Sequence, residues 1–197
     1  QGEKGNLSLN YFVLPTNLEK AKSQFKDVNR MLKAFEHWFG PYPFYEDGFK
    51  LVESNHLGME HQSAVAYGNE YMNGYKGNDL SGSGWGLKWD FIIVHESGHE
   101  WYGNNISSKD IADMWVHEGF TSYSEALFTE STQGKTAGED YVIGIRKNIG
   151  NKAPIIGIYN TNTEGDGDMY YKGGNLLNMI RQILQDDDKW RLILRGL

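Results

Sequence analysis

The run His95-Glu96-Ser97-Gly98-His99 sets two imidazoles four residues apart, with a carboxylate directly after the first. On a helix, positions four apart share one face, so both rings can offer a nitrogen to one cation. Glu96 then projects to the adjacent side, where a water beside that cation would need a base. Ile92, Ile93 and Val94 precede the pair, and this apolar run predicts a buried helix over 87–101. A nitrogen-and-oxygen ligand set suits zinc, whose catalytic sites take three protein ligands and keep one position open. The third ligand must come from another segment. Eighteen residues lie between His99 and Glu118, in the stretch 113-DMWVHEGFTSYSE-125, enough for a turn and a second helix to bring the carboxylate back. Trp115, Phe120 and Tyr123 surround it. A carboxylate in such company needs a partner, and a divalent cation is one. The competing reading of His95 and His99 is a pair of hydrogen-bonded core histidines.

Other candidates carry less. His117-Glu118 repeats the dipeptide, but Thr121 stands where its second histidine would be, so no second site is expected. His56 and His61 flank Glu60 and read as structural or substrate-lining. Glu164, Asp166 and Asp168 resemble a calcium loop without its later bidentate glutamate, and read as a solvated turn. The chain has no cysteine, which excludes disulfides and thiolate ligands and fits an extracytoplasmic setting. Its net charge is -7 with no lysine or arginine block, so there is no electrostatic footprint for nucleic acid. No apolar run reaches the length of a membrane span. The glycine-rich segment 72–86 lacks Gly-Lys-Ser/Thr, so it is not a phosphate loop.

The elements that must position these groups follow from periodicity. Strands are expected over 7–14, 49–54 and 63–68. Apolar residues at helical spacing run from Ala21 to Trp38, predicting one helix over 18–39 that Gly40, Pro41 and Pro43 end. Further helices are expected over 87–101, over 111–129 with Asp110 or Asp113 as cap, over 138–150, and from Lys172 to Gln185. Strands come first and helices later, which points to an α+β fold. The sheet-rich lobe covers 1–70 and the helical lobe 87–197 of one domain. An abrupt start and an amphipathic end without a stop signal suggest a piece of a longer chain.

With 101-WYGNNIS-107 and 115-WVHEGFTSYSE-125 around the ligand candidates, the chain resembles the gluzincin aminopeptidases of the aminopeptidase N type. Two more segments carry the likeness. The sequence 57-LGMEH-61 stands where that family has Gly-x-Met-Glu-Asn, and Tyr170-Tyr171-Lys172-Gly173 matches its Tyr-x-Lys-Gly. The resemblance implies a thermolysin-like metallopeptidase catalytic domain holding one Zn2+ on His95, His99 and Glu118. It implies Glu96 as general base and Tyr170 as oxyanion donor, with Tyr171 as its rival. Glu60 would grip the free amine of a peptide substrate, and Gly58 and Met59 would lie along it. It also implies flanking domains, a β-sandwich before and a helical domain after, that this chain lacks. Leu57 and His61 depart from the family pattern, so the pocket around the first residues of the substrate is altered. Alternatives are a thermolysin-type zinc endopeptidase, the epoxide hydrolysis one family member performs, and a non-catalytic zinc-containing binding module. Among supporting residues, Glu125, seven after Glu118, is the candidate to orient a histidine; Asp113 is a weaker one. Lys172 reads as a solvated helix-start lysine, and Gly103, Asn104 and Asn105 as a helix cap.

Overall fold

The computed structural model describes residues 2–197. Strand β1 (Leu9–Phe12) leads into helices α1 (Leu18–Gln24) and α2 (Lys26–Phe39), then strands β2 (Phe49–Glu53), β3 (Gly58–Met59) and β4 (Val65–Tyr67). Helices α3 (Phe91–Gly98), α4 (Trp115–Gln133), α5 (Lys135–Gly144), α6 (Asp168–Leu184) and α7 (Asp187–Arg195) complete the chain. The sheet order is β1-β2-β4-β3. β1, β2 and β4 run parallel, while β3 pairs antiparallel with β4 at the edge, Met59 opposite Ala66. The architecture is α+β: a small mixed sheet followed by a helical lobe.

The helix expected over 18–39 is two helices. The chain leaves helical geometry at Phe25 (ψ 3°). The break turns the Phe25 ring into the sheet side, 5.2 Å from Tyr11, 5.0 Å from Tyr67 and 5.7 Å from Tyr71. α2 then buries Val28, Met31, Leu32, Phe35, Trp38 and Phe39, the apolar stripe that seats it against α3, α4 and α7.

α3 begins at Phe91, later than the apolar run suggests, because Trp89 is extended (φ -153°, ψ 163°) and Asp90 caps the helix. The Asp90 carboxylate accepts from the amides of Ile92 (3.1 Å) and Ile93 (3.3 Å). It also accepts from Tyr67 Oη (2.6 Å), Asn69 Nδ2 (2.8 Å) and Gln24 Nε2 (2.8 Å). This fully buried cap ties α1, β4 and the segment after it to the first turn of α3. Asp110 does cap the next region, but it caps a 3-10 turn over Ile111–Asp113, and α4 starts behind it at Trp115. The last long helix starts at Asp168, four residues before Lys172. Asp168 is 4% exposed, and its carboxylate accepts from the amides of Gly150 (2.7 Å) and Asn151 (2.6 Å). It is thus a buried joint, which corrects its reading as part of a solvated turn.

Small residues let the helices close on each other. A Cβ on Gly98 would meet Ser124 Oγ at 2.8 Å and Thr121 Cγ2 at 3.0 Å, where α3 crosses α4. A Cβ on Gly173 would meet the Gly119 Cα at 2.9 Å, where α6 crosses α4. Arg181 clamps α6 to α4 through both oxygens of Glu130 (2.6 and 2.8 Å). Asp90→Ala is expected to cost about 2–3 kcal/mol in urea unfolding, because it removes a cap and strands several buried donors. Asp90→Asn, whose amide oxygen still accepts from α3, should recover part of that loss.

Candidate metal centre

Every residue of α3 is buried, so His95 and Glu96 are carried on a helix with no solvated face. His95 Nδ1 lies 2.7 Å from Glu125 Oε1. Glu125 Oε2 in turn accepts from the Tyr141 hydroxyl (2.6 Å). His99 Nδ1 lies 3.0 Å from the Tyr102 carbonyl. A carbonyl only accepts, so His99 must carry its proton on Nδ1, and the carboxylate favours the same tautomer in His95. In the neutral form of each ring Nε2 keeps its lone pair, and both Nε2 atoms face the same carboxylate oxygen.

Glu118, in the first turn of α4, completes the set. Its Oε2 is 3.4 Å from His95 Nε2 and 3.3 Å from His99 Nε2. That oxygen is buried and makes no hydrogen bond of ordinary geometry to either ring. Ligand atoms held about 2.0–2.1 Å from a tetrahedral zinc stand about 3.3 Å apart. The spacing and the orphaned oxygen therefore fit a zinc-sized cation better than a hydrogen-bonded histidine pair. These three residues also form a cluster whose ligand atoms lie within 4.8 Å of one another.

Glu96 flanks this point. Burial pushes its carboxyl up from the ordinary glutamate value. Gly58 of β3 lies directly over it: a Cβ there would sit 2.5 Å from Glu96 Oε1. A side chain at this position would require the Glu96 carboxylate to shift. Glu60 reaches the same place, in a cluster with Glu96 and His99 spanning 4.8 Å. Met59 alternates outward, 40% exposed. Tyr170, on α6, has its ring 6.0 Å from that of His95. Burial and then the charge of Glu118 push its hydroxyl well above the ordinary tyrosine value, so it stays protonated. The Gly119–Gly173 crossing is what lets α6 bring it there.

The structure thus brings together His95, His99, Glu118, Glu96, Glu60, Gly58 and Tyr170. It leaves out others. His56 and His61 are exposed, and His117 Nε2 accepts from the Ser108 amide (2.8 Å). Asp113 accepts from Tyr159 (2.7 Å) at the surface and orients no histidine. β3 ends at Met59, because the chain then reverses where the Ala64 amide donates to the His61 carbonyl (3.0 Å).

Three supporting residues carried no clear signal in sequence. Tyr141 completes the Glu125 relay. The Asn104 amide closes the turn after α3 on the His99 carbonyl (2.9 Å) behind Gly103 at φ 133°, and its Nδ2 also donates to the Glu60 carbonyl (2.8 Å). Glu100 accepts from the Ser63 amide (2.7 Å), holding Ser63 at φ 60°. Asn104 and Glu100 follow the second histidine, so the segment after α3 fixes the loop that carries Glu60.

A peptidase domain built on two helices with a histidine pair and a later glutamate is what the site and fold describe. A family model described as the Peptidase family M1 domain matches residues 23–195, and the chain belongs to that family. Mouse endoplasmic reticulum aminopeptidase 1 is 24% identical over 98% of this chain and 22% of its own length. Chicken aminopeptidase Ey is 30% identical over 45% of this chain and 10% of its own. A mutant M1 zinc metallopeptidase from Deinococcus radiodurans, solved with a Tyr-Ser-Ala substrate, superposes with a TM-score of 0.71 at 20% identity, covering 100% of this chain and 41% of that one. Leukotriene A4 hydrolase from Saccharomyces cerevisiae gives 0.70 at 19% identity, over 92% of this chain and 30% of that one. These structural likenesses establish the shared fold. The chain spans about a fifth of the length of the curated relatives it matches.

Glu125→Gln is expected to weaken zinc binding about 10–100-fold in chelator competition, because an amide cannot hold His95 in the same tautomer and charge environment. A change under about threefold would mean that Glu125 is packing and nothing more.

Proposed function

We propose that this chain carries the catalytic centre of a zinc-dependent aminopeptidase that removes the first residue from peptides with a free N-terminus. The observation that carries the proposal is the triangle of His95 Nε2, His99 Nε2 and Glu118 Oε2, with sides of 3.3 and 3.4 Å to an otherwise partnerless carboxylate oxygen. His95, His99 and Glu118 would hold the ion; when bound, zinc supplies a Lewis acid and acidifies water.

The other roles fall to residues around it. Glu96 takes the proton of the attacking water and passes it to the leaving amine, a shuttle that suits a buried carboxylate beside the ion. The Tyr170 hydroxyl donates to the oxygen that gains charge as the carbonyl is attacked. Glu60 pairs with the α-ammonium and sets the substrate's register. Gly58 and Met59 present an unpaired strand edge to an extended peptide. Glu60 separates this reading from a zinc endopeptidase, which has no ammonium to bind. Glu96 and Tyr170 separate it from a structural zinc module, which needs neither.

No helix among the described residues is long and apolar enough to cross a membrane. In the full-length protein, Glu96→Gln should keep one zinc per chain and lower kcat by at least about 100-fold on an aminoacyl chromogenic substrate. Near-normal turnover with zinc bound would remove Glu96 from the chemistry. Glu60→Ala should shrink the preference for free over acetylated N-termini by about tenfold or more, read as the ratio of the two kcat/KM values. An unchanged ratio would point to an endopeptidase.

A further inference from the structure

Helix α2 sorts its charges by face. Its two carboxylates turn inward, Asp27 at 8% and Glu36 at 6% exposure. Asp27 accepts from the Asp90 amide (2.8 Å) and pairs with Arg30. Glu36 accepts from the Tyr42 amide (3.1 Å), the Tyr45 hydroxyl (2.6 Å) and the Glu3 amide (3.1 Å). The residues that α2 leaves exposed are Lys26, Asn29, Arg30, Lys33 and His37. All but Asn29 carry basic side chains. Positions 26, 30, 33 and 37 step by four, three and four, so they form one line along the helix, about 16 Å long. That spacing keeps them from showing as a basic block in the sequence.

The line forms one wall of a groove. Arg30, Lys33, Ala34 and His37, with Ser131 and Thr132 at the last turn of α4, line a cavity of about 470 Å³. Among the described residues, no carboxylate lines it. The α4 wall brings no charge of its own. Ser131 Oγ donates to the Leu127 carbonyl (2.7 Å) and accepts from the Trp38 indole (3.2 Å), and Thr132 Oγ1 donates to the Phe128 carbonyl (2.8 Å). Arg191 of α7 lies 3.3 Å from His37 Nε2 and adds a guanidinium at the end of the line. Among the described residues, Lys26 and Lys33 take no ion pair. The groove is at the opposite end of α4 from Glu118, about 20 Å away along the helix.

We propose that this groove docks an acidic, extended peptide segment of another protein, apart from the metal centre. The chain carries a net charge of -7, so this basic line runs against its overall field and attracts carboxylates by charge complementarity. An extended segment advances about 6.7 Å for every second residue, and successive members of the line stand about 5–6 Å apart. Alternate Asp or Glu side chains therefore meet successive basic groups. A flat lipid surface would reach the crest of α2 but not the cleft beside it.

The test uses the full-length protein and an N-acetylated, fluorophore-tagged octapeptide of alternating Glu and Ser, whose blocked amine withholds an N-terminus from the metal centre. Fluorescence anisotropy at about 50 mM NaCl should show saturable binding that weakens at least about tenfold at about 300 mM. The matching Gln-Ser peptide should not bind. Lys26→Glu with Lys33→Glu should weaken binding at least about tenfold and leave kcat/KM on an aminoacyl substrate unchanged. Lys88→Glu with Lys152→Glu, an equal charge change at exposed lysines elsewhere, should keep binding within about twofold. If the reversed pair does not fold, Lys26→Gln with Lys33→Gln should still weaken binding about threefold or more. Equal losses in the two reversed pairs, or equal binding of the Gln-Ser peptide, would overturn the proposal. So would absence of peptide binding together with a dimer, phosphatidylserine-vesicle binding or duplex DNA binding that the Lys26 and Lys33 reversals abolish; each of these gives the line to a different occupant.

Discussion

Glu118 is a buried carboxylate whose inner oxygen faces two imidazole nitrogens and makes no hydrogen bond of ordinary geometry to either. A buried charge in such a place costs several kcal/mol unless it is paired, and the groups that face it are His95, His99 and Tyr170. Each hydrogen bond behind the histidines points the same way. Glu125 and the Tyr102 carbonyl take the Nδ1 protons, which commits the Nε2 lone pairs to the shared point. The three helices α3, α4 and α6 are arranged so that this convergence occurs, and the remaining groups are positioned from it.

The neighbouring groups divide into two sides. On one, Glu60 is held by Asn104 and, through Ser63, by Glu100, so its backbone is fixed from the segment that follows the metal helix. On the other, the glycine-rich segment and the start of α3 enclose an apolar cavity. Glu96 sits between the two sides beneath Gly58. This polarity belongs to the elements themselves: an acidic loop reversal at one end of β3, an aromatic cluster at the other.

What the sequence disclosed depended on how far each signal reaches along the chain. The His95–Glu96–His99 unit is local, and its helical spacing places it directly. Glu118 and Glu125 sit seven apart on one helix, so a single periodicity carries both. Tyr141 lies on another helix, and no pattern in its own neighbourhood marks it as the partner of Glu125. Asn104 follows a glycine, and a helix cap and a side-chain anchor look identical in that context. The break at Phe25 is hidden because apolar spacing continues across it; only the tertiary contacts with Tyr67 and Tyr71 reveal it. Asp168 looked solvated because its acidic neighbours are, whereas the amides that bury it come from residues 150 and 151.

The bare backbone contact between Gly119 and Gly173 has a mechanical side. Gly119 adjoins Glu118, and Gly173 lies one turn after Tyr170, so this close crossing helps set the distance between the proposed ligand and the proposed oxyanion donor on different helices. The metal centre is in effect a strain gauge for the helical lobe: grip on the cation should track the separation of α4 and α6, even for perturbations applied at the distant Arg181 clamp.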